Sequence, residues 1–238
     1  MKHIIFVALL LATVTLAAQC PEPESKELRF NLNDSLIEQE MTALSHQMTV
    51  PLHYNGQVRE FISLYVNLRH EQTDAMLQRS YTYFPVIEAV LRQHGLPDEL
   101  KYLAMVESAL NPKAVSRDGK QGLWQLSPAI AGKYGLVMGD DVNQCFNLEQ
   151  STEVACSQLK RLYAYYGDWL LAMIAFGTSV GTVDKAIAAT GGISDYWAIW
   201  KHLPKEVRGY VPAYMALVYI MNQPETYDLH PMCPVIRN

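Results

Sequence analysis

Residues 98–110 read DELKYLAMVESAL, and the reading of this run governs the reading of its neighbours. Pro97 and Asp98 mark a helix start: proline fits the first turn, where its missing N–H is not needed, and a carboxylate suits the positive end of the helix dipole. Asn111 and Pro112 mark the stop, because the residue before a proline is biased away from helical backbone. At 100° per residue, Leu100, Leu103, Ala104, Val106 and Leu110 form one apolar stripe, with Lys101, Met105 and Ser108 on another side. Glu107 falls inside the stripe, one heptad from Leu100. A carboxylate there meets apolar neighbours near the negative end of the helix, and both effects raise its pKa. A raised pKa is what a general acid needs near neutral pH. The same pattern also fits a glutamate paired with a buried Lys or Arg, or one at the frayed edge of the stripe, so the stripe alone leaves these readings open.

Downstream, residues 114–136 read AVSRDGKQGLWQLSPAIAGKYGL. Gly119 and Gly122 permit a tight loop in which backbone can approach a ligand. Ser127 and Pro128 start a helix that Gly135 ends. Trp124 and Gln125 then sit between two helices, an aromatic platform beside an amide, which is how sugars are held; taken alone, a core Trp and a surface Gln are the simpler reading. Residues 148–166 predict a long amphipathic helix with Leu159 and Leu162 on its core face, closed by Gly167. DWLLAMIAFG, residues 168–177, is apolar on every face and belongs at the centre of the core. A last helix is expected over 205–222, its start perturbed by Pro212. Upstream, Val58, Phe61, Ile62 and Tyr65 recur at helical spacing, followed by helices over 76–83 and 85–94. Strand-like alternation is scarce, and the expected fold is all-α.

The chain has 238 residues, half of them hydrophobic, and a formal charge of −5, which argues against nucleic acid as a partner because phosphate contacts need surplus Lys and Arg. It begins MKHIIFVALLLATVTLAAQC, which reads as a secretory signal cleaved after Ala17 or Ala18. Cys20 raises the option of a lipid-modified cysteine, which Gln19 before it fits poorly. Residues 19–50 read as a polar linker or loosely packed arm. Export permits disulfides, and Cys20, Cys145, Cys156 and Cys233 allow three pairings. A local Cys145–Cys156 bridge and a pair of buried free thiols fit equally. With no HExxH, no paired CxxC and scattered histidines, neither a metal site nor a cofactor is expected.

VESALNPKAVSRDGKQGLWQLSP (106–128), followed by GDWLLAMIAFGTSVGTVDKAI (167–187), resembles the lysozyme-like catalytic domain of lytic transglycosylases. The resemblance covers roughly residues 50–223. It implies a helical extension over 51–82, a catalytic domain over 83–223 and a tail over 224–238. It implies Glu107 as the single catalytic acid/base, with Ser108 supporting the site. Gln125 matches the substrate-binding Gln of a Gly-Leu-x-Gln loop shaped by Gly122 and Leu123, and Tyr210 matches a Tyr that lies near the glutamate. Two motifs depart. The usual Ala-Tyr-Asn-Ala-Gly is Ala175-Phe176-Gly177-Thr178-Ser179, so Phe176 lacks a hydroxyl and Gly177 replaces a glycan-contacting Asn. The usual Gly-Ala before the loop is Gly119-Lys120. The family's chemistry cleaves peptidoglycan glycan strands and leaves 1,6-anhydro ends, in the periplasm or cell envelope, where the protein would associate peripherally. Retained Glu107, Ser108, Gln125 and Tyr210 favour an enzyme; the broken Asn motif favours a weakly active or inactive peptidoglycan-binding protein. A lysozyme-like hydrolase is disfavoured, because Asp118, Asp140 and Asp141 make no convincing second carboxylate.

Overall fold

The computed structural model describes residues 28–139 and 141–230. The signal segment, Cys20, Cys233 and most of the tail expected from the sequence lie outside them. In chain order the helices are α1 (Asp34–Ser45), α2 (Gly56–Ser63), α3 (His70–Gln93), α4 (Leu103–Ser108), α5 (Pro128–Lys133), α6 (Leu148–Tyr166), α7 (Trp169–Gly177), α8 (Val180–Ala189), α9 (Tyr196–Ile199) and α10 (Tyr210–Met221). Only isolated bridges represent β-structure among the described residues, so the all-α expectation holds. Asn33, Asn55, Ser127, Asn147, Asp168, Ser179 and Asp195 each precede a helix and accept a first-turn N–H through the side chain. Each such cap contributes about 1 kcal/mol, which fixes these starts locally.

Two helices without a polar face make the centre. Every residue of α7 from Trp169 to Ala175 is buried, as is every residue of α10 from Val211 to Ile220. Such helices can only be covered on all sides. α10 packs against α2, α4 and α7, while α6 bridges α7 and α3. The ends of α4, α7 and α10 are thereby brought together.

Several sequence expectations are corrected. The segment read as a linker or loose arm contains α1, whose Ile37 and Met41 are buried in the core. It is tied down further along: the buried Glu99 carboxylate accepts the Thr49 and Val50 N–H groups at 2.5 and 2.7 Å, and Tyr219 donates to Glu40 at 2.6 Å. The two helices expected around Pro85 are one helix, α3. Pro85 and Tyr81 lie on its exposed face, where water can bond the carbonyl that proline leaves unpaired, while Ile87, Val90 and Leu91 hold the other face in the core. The run 98–110 is a 3₁₀ turn, Asp98–Tyr102, leading into the short α4. Met105 is buried and Val106 only half-buried, the reverse of the stripe. The last helix starts at Tyr210, so Pro212 sits in its first turn, where no N–H is needed, and Lys205–Val207 is a separate 3₁₀ turn. Cys145 and Cys156 are buried free thiols, and burial pushes the Cys156 thiol up to about 12.

Candidate active site

Glu107 occupies the last turn of α4. Ala109 and Leu110 follow in left-handed backbone, φ 52° and 57°, and their N–H groups return to the carbonyls of Met105 and Ala104 at 2.8 and 3.2 Å. For residues with a Cβ this conformation costs about 1–2 kcal/mol each. Complete burial of Leu110 offsets a similar amount. The turn stops the helix directly after the carboxylate-bearing residue, before Pro112.

Residue 107 is partly exposed, as a group that meets a ligand has to be, yet its carboxyl is packed closely enough that lost hydration dominates its acidity. Its pKa is pushed up to about 7 by burial, against a hydrogen bond from Tyr210 and the charge of Lys120, both of which favour the ionised form. Tyr210 Oη donates to Glu107 Oε1 at 2.6 Å. Burial and the neighbouring carboxylate raise the phenol well above its ordinary value, so it remains a donor.

Ser108 Oγ donates to Leu123 O at 2.8 Å, with Ala104 O at 3.2 Å as the alternative acceptor, and accepts from Asn111 N–H at 3.1 Å. Its hydroxyl thus staples α4 to the glycine loop and is not free for a ligand. In that loop Ser116 and Lys120, then Gln121 and Leu126, pair through backbone bonds of 2.9–3.0 Å. Gly122 is demanded twice: φ is +78°, and a Cβ would lie 1.9 Å from the Cys145 carbonyl oxygen. Its role is to let the loop seat on that carbonyl. Gln125 is buried at φ +46°, with Nε2 donating to Gly122 O at 2.9 Å and Ala114 O at 3.2 Å. That leaves Oε1 as the acceptor available to the adjoining cavity.

Trp124 is a core residue, the simpler of the two readings of its sequence, and not a platform. It is fully buried, with Nε1 donating to Thr152 Oγ1 at 2.9 Å. Phe176 takes the exposed place: half-buried, it meets Trp124 edge-on, with centroids 6.3 Å apart, and lines a cavity of about 310 Å³ with Lys120, Gln125, Ser127, Arg161 and Ser179. Gly177 ends α7 against Tyr210. A Cβ there would lie 2.5 Å from Cε2 and 2.8 Å from Cζ of that ring, so an Asn cannot be restored without moving Tyr210 away from Glu107. Lys120 Nζ donates to Gly177 O at 2.7 Å, which joins the two departures from the family pattern in space. Arg161 was not singled out from the sequence, where it is one charge on an amphipathic helix. Among the described residues no cluster of His, Cys, Asp or Glu could hold a metal ion.

Tyr210 therefore meets Glu107, Ser108 ties the end of α4 to the loop of Gly122 and Gln125, and Gln125 and Phe176 line the cavity, of which Glu107 and Tyr210 form no part. Residues 84–198 match the family described as the Transglycosylase SLT domain. The chain is 32% identical over 179 residues to membrane-bound lytic murein transglycosylase D of Escherichia coli, covering 74% of this chain and 39% of that protein. It thus spans well under half of the relative's length. Among solved structures, the 70 kDa soluble lytic transglycosylase of Escherichia coli superposes with a TM-score of 0.52 at 23% identity, over 62% of this chain and 25% of that one. The complex of the 70 kDa soluble lytic transglycosylase with bulgecin A gives 0.55 at 17% identity, over 84% and 32%. These likenesses establish the fold. In sequence, what is shown is a Transglycosylase SLT domain over residues 84–198, similar to part of that Escherichia coli lytic murein transglycosylase.

Proposed function

We propose that this chain cleaves peptidoglycan glycan as a lytic transglycosylase, with Glu107 acting first as general acid and then as general base. The observation that carries the reading is the Glu107 carboxyl, pushed up to about 7 and held by Tyr210 at 2.6 Å. Protonated near neutral pH, it delivers its proton to the glycosidic oxygen between N-acetylmuramic acid and N-acetylglucosamine as the bond from that oxygen to C1 breaks. The carboxylate then takes the proton of the same muramyl residue's 6-hydroxyl as O6 bonds to C1. No water enters, the acid is restored, and the 1,6-anhydro product plus the released chain together are isomeric with the substrate. The attacking hydroxyl is already tethered, so proximity replaces an activated water and a second carboxylate. Asp118 and Asp141 are exposed, which fits this one-carboxylate route, and Asp140 lies outside the described residues.

Tyr210 positions the carboxylate and is the stronger partner for its ionised form, midway through the reaction. Ser108 and Gly122 hold the loop, and Gln125 Oε1 and the Phe176 ring meet sugar. The reaction belongs in the periplasm or cell envelope; the Escherichia coli relative is named as membrane-bound and as acting on murein, and no described helix is long and apolar enough to cross a membrane.

Lys120, which favours ionised Glu107, and the missing side chain at Gly177 support a second reading, a peptidoglycan-binding protein with little turnover. Digestion of purified peptidoglycan, analysed by muropeptide mass, separates the two. Anhydro-muramyl ends are expected from the wild type and not from Glu107→Gln. Ends heavier by one water would sink the mechanism, and no products would leave the binding reading.

A further inference from the structure

The lining of the cavity beside Phe176 carries two cations and no carboxylate, although the charge of Lys120 is also felt at Glu107 outside that lining. The two cations are Lys120 and Arg161, and neither forms an ion pair among the described residues. Lys120 Nζ is held by one neutral carbonyl, Gly177 O at 2.7 Å. The Arg161 guanidinium reaches only the Gln158 amide oxygen, through Nε and Nη2 at 3.3 Å each. Ser179, the cap of α8, and Val180, its first residue, also line the cavity and add the positive end of that helix. The remaining wall is amide, hydroxyl and hydrocarbon. Neutral sugar hydroxyls need no such arrangement, whereas a carboxylate gains charge-assisted hydrogen bonds from both cations. Glu107 is not among the lining residues, but a run of contacts joins it to the cavity wall: Lys120 bonds Gly177 O, Gly177 abuts the Tyr210 ring, and Tyr210 holds Glu107.

We propose that this cavity is a carboxylate subsite, in which Lys120 and Arg161 receive an acidic substituent of the glycan next to the scissile bond. The proposal rests on the peptidoglycan reading above and names what part of that substrate the site selects. Two sources share the chemistry: the lactyl carboxylate of a muramyl residue without a peptide, and a carboxylate of an attached peptide stem.

The test measures binding in a Glu107→Gln background, so that no ligand is consumed. Three soluble ligands are compared: glycan strands carrying stems, the same strands with the stems removed by an amidase, and neutral chitin oligosaccharides. Lys120→Gln and Arg161→Gln should each weaken binding to muramyl glycan about tenfold, the usual order for a hydrogen bond to a charged group, and leave chitin binding unchanged. Loss confined to stem-bearing strands assigns the stem carboxylate; loss confined to stem-free strands assigns the lactyl group. Arg161 is exposed, so its variant keeps the fold, and Lys120→Arg should retain binding. Unchanged binding to all three ligands, or an equal loss on chitin, overturns the subsite. A wild type that releases no anhydro ends yet binds in this charge-dependent way would remove the activity reading and leave the subsite standing.

Discussion

α4 and α7 both end at the site, but they are fixed by different means. α4 is held from within its own stretch of chain: Ser108 bonds the loop at Leu123, and Ala109 and Leu110 turn the backbone back on Met105 and Ala104. α7 is held from outside. Its last residue is a glycine because the Tyr210 ring occupies the space of a side chain, and its last carbonyl is met by a lysine 57 residues earlier. The α4 end is built to hold a carboxyl in a set place. The α7 end takes its shape from the Tyr210 ring and Lys120, which lie across from it.

The largest effect is expected at the α4 end. Glu107→Gln should lower turnover by at least about a hundredfold and up to about ten-thousandfold, the range that general acid–base catalysis supplies. Stability gives an independent check of the raised pKa. The folded state keeps the Glu107 proton up to about 7, whereas the unfolded chain releases it near 4.5, so the contribution of this group is full below 4.5 and is lost as pH rises through 7. Glutamine does not titrate. Denaturation midpoints across pH should therefore show Glu107→Gln gaining on the wild type between pH 4.5 and 7, by an amount of order 3 kcal/mol, and then running parallel to it. Parallel curves throughout would mean that the carboxyl is not buried as described.

Gly122→Ala tests whether the loop that supports α4 is as rigid as its contacts imply. The added methyl would meet a backbone oxygen at 1.9 Å in a positive-φ position, and neither partner can yield cheaply. A loss of about 3 kcal/mol in folding stability is expected from urea denaturation.

How much could be read beforehand follows the same division. The carboxylate within an apolar stripe, the Ser-Pro helix start, the glycine stops and the all-apolar helix are local patterns, and each has its counterpart in the fold. The family motif points to Glu107, Gln125 and Tyr210; in the structure Tyr210 bonds Glu107, while Gln125 lines the cavity beside Phe176. What the sequence hid depends on contacts between distant segments. Trp124 carries no sign that Thr152 takes its N–H, so platform and core looked alike. Residues 34–45 are polar enough to pass for a linker, because only Ile37 and Met41, with Leu44 partly buried beside them, carry the packing and Tyr219 bonds Glu40 from afar. Gly177 looked like a damaged motif, although the ring it accommodates belongs to another helix.

Tyr210→Phe probes the link between the two helix ends. A hydrogen bond to a charged group is worth about 1.5–3 kcal/mol, so turnover should fall about ten- to a hundredfold. Because that bond favours the ionised carboxyl, its loss raises the Glu107 pKa further, and the alkaline limb of the rate profile should move to higher pH. An unmoved limb would mean that Tyr210 does not act through Glu107.

The smallest effect, at Gly177→Ala, bears most directly on the contrast. As a helix residue alanine is favoured by up to about 1 kcal/mol, but its methyl would overlap the Tyr210 ring, and relief of such crowding costs about 1–3 kcal/mol. The opposing terms predict a net loss of at most about 2 kcal/mol in stability, together with a ring pushed off Glu107 and turnover down about tenfold. If that displacement is the cause, the loss must vanish once the hydroxyl is already gone. Gly177→Ala added to Tyr210→Phe should then cost almost nothing further, a coupling that independent sites would not show. A full additional loss in the double variant would place the effect of residue 177 on the ligand itself, and the α7 end would then be a binding surface in its own right, not a seat for Tyr210.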